Sequence, residues 1–113
     1  MKLNPKLTPL ETNSLSLNST YFDNIDFNYV VKAGKVVEVS LRALVKANIP
    51  NNITIMTLPY KSYFNTEIPL YLGGRYDYFG GTIFSYIADR DIRTGAISSG
   101  QYLHAQFTYI TTD

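Results

Sequence analysis

The sequence predicts an all-β fold, a single antiparallel β-sandwich or barrel of about eight short strands. Three observations carry this reading. Turn residues recur roughly every ten positions along the chain, the spacing of all-β domains. The segments between them alternate apolar and polar side chains with period 2. No stretch has the longer apolar period of a helix, which argues against a helix-covered parallel sheet. The chain has 113 residues, 45% of them hydrophobic and 17% charged, a composition ordinary for one globular domain. At that length about two-thirds of the unfolded surface is buried on folding, so the core is modest.

Residues 1–19 differ from the rest of the chain. They are rich in Asn, Ser, Thr and Leu, and Pro5 and Pro9 block a continuous helix. By composition they read as an arm or linker; alternatively they pack on a neighbouring subunit. Leu15 and Leu17 alternate with polar neighbours, which allows a short edge strand there. The domain proper is expected over residues 20–113.

Ile25, Phe27, Tyr29 and Val31 alternate with Asp26, Asn28, Val30 and Lys32, the mark of a strand with one buried face. Ala33-Gly34 between Lys32 and Lys35 signals a tight hairpin. The return strand starts at Lys35, with Val37, Val39, Leu41, Ala43 and Val45 on one face and Glu38, Ser40 and Arg42 on the other. A helix over Val36 to Ala47 is the alternative, but the clustered valines and the hairpin favour a strand. After a loop with Pro50 and two asparagines, "ITIMTL" and "EIPLYL" are the next strands. Pro69 lacks a donor and places the second at an edge, a bulge or a strand start. Gly73-Gly74 and Gly80-Gly81 bracket "RYDYF", a short strand or loop. In "GTIFSYIAD", Ile83, Ser85 and Ile87 face away from Phe84, Tyr86 and Ala88. "DIRTGAIS" is a strand weakened by Gly95, "SSGQ" a turn, and "YLHAQFTYIT" the last strand, with Leu103, Ala105, Phe107 and Tyr109 on one face.

Charge and composition exclude several function classes. The net charge is +1 and no basic stripe exists, so nucleic acid is not an expected partner. Cysteine is absent, which removes disulfides and thiolate chemistry. Met1 to Leu10 carries two prolines and no apolar core, so no secretory signal is expected there, and the glycosylation sequons at Asn18 and Asn52 read as chance. No apolar run approaches the roughly 20 residues of a membrane span. His104 is the only histidine and lies mid-strand opposite Leu103 and Ala105. It reads as solvent-facing or interfacial rather than as a catalytic base. One histidine without cysteine makes a zinc site improbable. Asp89-Arg90-Asp91 offers too few oxygens for calcium, and the arginine favours salt bridging within a turn. No acid pair or phosphate loop is recognisable. No enzyme, metal or cofactor is expected.

The distinctive feature is aromatic. The chain has ten tyrosines and no tryptophan, and Tyr60, Tyr63, Tyr71, Tyr76, Tyr78 and Tyr86 cluster with Arg75, Asp77, Asp89 and Arg90. Tyrosine offers a flat apolar face with one hydroxyl, suited to stacking on a sugar or packing at an interface. Arginine and aspartate supply directional hydrogen bonds to hydroxyls. The same tyrosines also suit half-buried strand positions. Loops carry function more often than strand interiors, which singles out Tyr76 and Tyr78. The candidate ligand-binding residues are Tyr60, Tyr63, Arg75, Tyr76, Asp77, Tyr78, Asp89, Arg90 and His104.

The order of features resembles the C-terminal head domains of receptor-binding and tail-fibre proteins of siphophages that infect Gram-positive bacteria. The resemblance spans about residues 20–112. It rests on Lys32, Gly34, Val36, Val37 and Val39 in the first hairpin, Thr57, Leu58 and Pro59 at a corner, and Gly100, Tyr102, Phe107 and Tyr109 in the last strand. Lys61-Ser62-Tyr63-Phe64 departs from that family's usual corner sequence. The resemblance implies a jelly-roll-like sandwich and a homotrimer at a tail tip or baseplate. It also implies contacts with other tail proteins and non-catalytic adsorption to host cell-wall polysaccharide. It carries no binding residue over by position. A purely structural trimeric tip module is the alternative.

Overall fold

The structure, a computed structural model, describes residues 9–113. Among them every regular element is a strand: β1 (Leu10–Asn13), β2 (Ser16–Leu17), β3 (Phe22–Ala33), β4 (Val36–Val45), β5 (Thr54–Thr57), β6 (Thr66–Glu67), β7 (Leu70–Gly73), β8 (Gly81–Ile83), β9 (Ser85–Ala88), β10 (Asp91–Thr94) and β11 (Tyr102–Ile110). They form two antiparallel sheets. The larger has the order β1-β3-β4-β11-β7-β8 and the smaller β2-β5-β10-β9-β6. The core lies between them. Val37, Val39, Leu41, Ala43 and Val45 of β4, and Leu103, Ala105, Phe107 and Tyr109 of β11, are all buried, as are Ile55, Met56, Ile87 and Ile92 of the smaller sheet. No helix here is long and apolar enough to cross a membrane.

The strand count rises from the expected eight to eleven because two extended runs are each divided between the sheets and the segment expected as an arm adds β1 and β2, while "RYDYF" forms no strand. "EIPLYL" breaks at Pro69, which has no N–H to continue a ladder; β6 before it joins the smaller sheet and β7 after it the larger. "GTIFSYIAD" breaks at Phe84 in the same way, into β8 and β9. The two breaks are stitched together: the Ile68 N–H donates to the Ser85 carbonyl at 3.0 Å, and the buried Ser85 hydroxyl donates to the Ile68 carbonyl at 2.8 Å. "DIRTGAIS" is regular only as far as Thr94, and "RYDYF" is loop.

The segment expected as an arm is, from Leu10 onward, part of both sheets. β1 pairs with β3 and β2 with β5, and Leu15 between them is buried. Residues 1–8 lie outside the described residues.

The first hairpin differs in two ways from the sequence expectation. Ala33 pairs with Val36, so the turn residues are Gly34 and Lys35 rather than Ala33 and Gly34. Gly34 has φ +62°, a conformation other residues resist, and it takes the first central position as a type II′ turn requires. The more apolar side of β3 also points outward. Val30 packs inside, whereas Ile25 and Tyr29 are exposed and Phe27 is half-buried. On the other side, Asn28 accepts a hydrogen bond from the Leu15 N–H (2.8 Å) and donates to the Leu15 carbonyl (2.9 Å). It thereby satisfies the backbone where the chain passes from one sheet to the other. A bulge adds two residues to β3 between Asp23 and Phe27, with Asn24 at φ +44°, and brings Asp26 within reach of β4's outer face.

Candidate functional site

The register of the larger sheet builds a grid of side chains on its outer face. Phe27 of β3 lies opposite Arg42 of β4, Arg42 opposite His104 of β11, and His104 opposite Tyr71 of β7. The next row is Tyr29, Ser40 and Gln106. Cross-strand neighbours are about 5 Å apart at Cβ, so each row is continuous. Phe27 and Tyr29 stack at 6.0 Å with 5° between their planes. The grid floors a groove of about 150 Å³, lined by Phe27, Ser40, Arg42, Tyr71, Tyr78 and His104 among others.

The loop 74–80, which joins β7 to β8, forms one wall. Asp77 folds it: one carboxylate oxygen accepts from the N–H groups of Gly74 (2.9 Å) and Phe79 (3.0 Å). These bonds hold the Asp77 carboxyl below its ordinary pKa, against the smaller opposing effect of desolvation. The turn is tight at its start, where a Cβ on Gly73 would collide with the Asp77 carbonyl oxygen and lie 2.7 Å from the Phe79 nitrogen. Tyr78 is thereby laid back over the sheet. It stacks on Tyr71 (4.9 Å, 22°) and meets His104 edge-on (4.8 Å, 75°).

Arg75 reaches from this loop to Asp26, donating from Nε and Nη2 to the two carboxylate oxygens at 2.7 Å each. Arg42 Nη1 donates to the same carboxylate at 3.2 Å. The Arg75 bonds are the main reason that the Asp26 carboxyl sits below its ordinary pKa; desolvation opposes them and Arg42 adds to them. The Arg42 guanidinium also lies 4.9 Å from the Phe27 ring and 5.3 Å from that of Tyr76, within cation–π range. Aromatic faces thus alternate with fixed hydrogen-bond donors.

His104 is not solvent-facing. It is only 6% exposed, covered by Tyr78, and its Nε2 lies 2.8 Å from the Gly74 carbonyl oxygen. Of the expected site residues, Tyr78 and His104 line this groove, and Arg75, Tyr76 and Asp77 lie in the loop beside it.

Tyr60, Tyr63, Asp89 and Arg90 do not. They surround the corner after β5, beside the far end of β11. Tyr109 donates its hydroxyl to the Tyr60 carbonyl at 2.8 Å, and the Tyr63 N–H donates to the Ile110 carbonyl at 2.8 Å. His104 and Tyr109 are five positions apart on an extended strand, roughly 17 Å. Arg90 pairs with Asp113 at 3.1 Å and Asp89 with Lys61 at 3.7 Å, so the arginine ignores both of its neighbouring aspartates. Burial pushes the Tyr109 phenol well above its ordinary pKa.

Sequence reasoning left Asp26, Phe27, Tyr29, Ser40, Arg42, Tyr71 and Gln106 out of the site. The hairpin turn was the available signal. With Gly34 and Lys35 as the turn, counting back along both strands sets Phe27 against Arg42 and Tyr29 against Ser40. With the turn one residue earlier, Phe27 falls against Ser40 and the row is lost. Compared with known proteins, the chain matches no family model and no curated protein.

Proposed function

We propose that this chain is a non-catalytic saccharide-binding domain, the receptor-binding head of a phage tail, which adsorbs the virion to host cell-surface polysaccharide. The observation that carries the saccharide reading is the row Phe27–Arg42–His104–Tyr71 with Tyr78 stacked against it. Flat aromatic faces suit sugar rings, and the interleaved arginine and histidine suit their hydroxyls. The phage setting rests on the resemblance of the hairpin, corner and last-strand motifs. In that setting the sandwich has a jelly-roll-like topology and acts as a homotrimer beside other tail or baseplate proteins. Many weak sites on one virion then give firm attachment through effective concentration.

A glycan array together with host cell-wall pull-down tests the ligand, and mass in solution tests the assembly. Binding to a defined saccharide by a trimer is the expected result. A trimer that binds no wall polysaccharide favours the second reading, a structural tip module. That reading draws on Phe79, Phe84 and the Tyr63–Phe64 pair, aromatic side chains left exposed away from the groove floor. Hydrolysis of purified wall polysaccharide by the chain overturns the non-catalytic assignment.

A further inference from the structure

One side chain in the groove has its hydrogen-bonding sense set by the fold. His104 Nε2 faces the Gly74 carbonyl at 2.8 Å. A carbonyl only accepts, so Nε2 carries the ring proton and Nδ1 of the neutral ring is an acceptor. Nδ1 has no hydrogen-bond partner among the described residues, and His104 lines the groove. Its cross-strand neighbour Arg42 is a donor only. Arg42 uses Nη1 on Asp26 and its Nε is buried without a partner, so Nη2 is the guanidinium nitrogen left to a ligand. An acceptor and a donor thus stand side by side.

We infer that His104 and Arg42 form a hydroxyl-selective subsite: a ligand hydroxyl donates its proton to His104 Nδ1 and accepts a hydrogen bond from the Arg42 guanidinium. The inference rests on the saccharide reading above and narrows it to the neutral hydroxyls of a sugar ring. A carboxylate or sulfate has no proton to give Nδ1, and an ammonium group is repelled by Arg42. The groups facing the imidazole are Arg42 from β4, Tyr71 from β7, and Asp77 and Tyr78 from the loop, with Asp26 bonded to Arg42. The Asp77 oxygen that bonds the loop is committed to Gly74 and Phe79.

The chain's single histidine makes the test direct. Long-range nitrogen–proton NMR on the imidazole reads its tautomer without ambiguity. The free protein is expected to show the Nε2–H form. Methyl glucoside, methyl galactoside or N-acetylglucosamine at millimolar concentration is expected to move the Nδ1 signal together with the Tyr71 and Tyr78 rings, whereas acetate and sulfate leave Nδ1 unmoved. His104→Gln keeps an N–H for Gly74 and removes the imidazole acceptor. It is expected to weaken the best of these sugars about tenfold, the worth of one hydrogen bond. An Nδ1–H tautomer overturns the inference. So does a sugar that shifts Tyr71 and Tyr78 but not Nδ1, or wild-type affinity in His104→Gln; each leaves the saccharide reading standing. If no sugar moves any of the three rings, the saccharide reading falls and the subsite with it.

Discussion

Arg75 holds Asp26 with two parallel hydrogen bonds of 2.7 Å, tying the loop 74–80 to a bulged strand 49 positions earlier in the chain. Arg42 shares that carboxylate from the sheet below. The fork geometry is specific to a guanidinium. Arg75→Lys keeps the charge and loses the fork. Amide exchange at Gly74 to Gly80 is expected to speed up while the core strands stay protected, and saccharide affinity to fall on the order of tenfold. Unchanged exchange in the loop would show that the ion pair does not position it.

The same contact sets a pH response. Asp26 and Asp77 both have folded pKa values below their ordinary ones. Their contribution is therefore complete above the unfolded carboxylate pKa of about 4, and is lost as pH falls through the folded values. The loop is expected to stay ordered from neutral pH down to about 4 and to loosen below it. Tyr71 and Tyr78 ring signals followed through an acid titration check this; loosening that begins well above pH 5 would point to another group.

Gly73→Ala tests the tightness of the loop entry. The added Cβ meets backbone atoms rather than a yielding side-chain end. A cost of about 1–3 kcal/mol is expected in denaturant melts, with a loss of sugar binding because Tyr78 is displaced.

Tyr78→Ala separates binding from assembly. It removes the stack on Tyr71 and the edge contact with His104, worth about 0.5–1.5 kcal/mol each. Affinity is expected to fall with mass in solution unchanged. Loss of the oligomer instead would assign the loop to a subunit interface.

Asn28→Ala probes the first strands. Without the paired bonds to Leu15, a partly buried peptide group loses its partner at a cost of about 1–3 kcal/mol. Residues 10–17 are expected to become the first site of proteolysis, and β3 to β11 to remain folded.

Local chemistry made much of this molecule legible. Period-2 alternation identified the buried faces of β4 and β11 residue by residue, because a pleated strand sends successive side chains to opposite sides. Turn residues located the connections for the same kind of reason, since Gly and Pro act on their own backbone. What the sequence by itself determined is therefore the all-β class, the two long core strands, and a tyrosine-rich segment set between glycine pairs.

Three things were decided only by tertiary structure. Pro69 and Phe84 break continuous β runs, but which sheet each half joins depends on partners far along the chain. Phe27 and Tyr29 look like core by their alternation. They face outward because Val30 and Asn28 take the inner side, and Asn28 is needed there only because Leu15 passes over it. The groove exists because β3, β4, β11 and β7 align Phe27, Arg42, His104 and Tyr71 in one row. Register is a relation between strands, and a bulge or a turn displaced by one residue reassigns every pair along it.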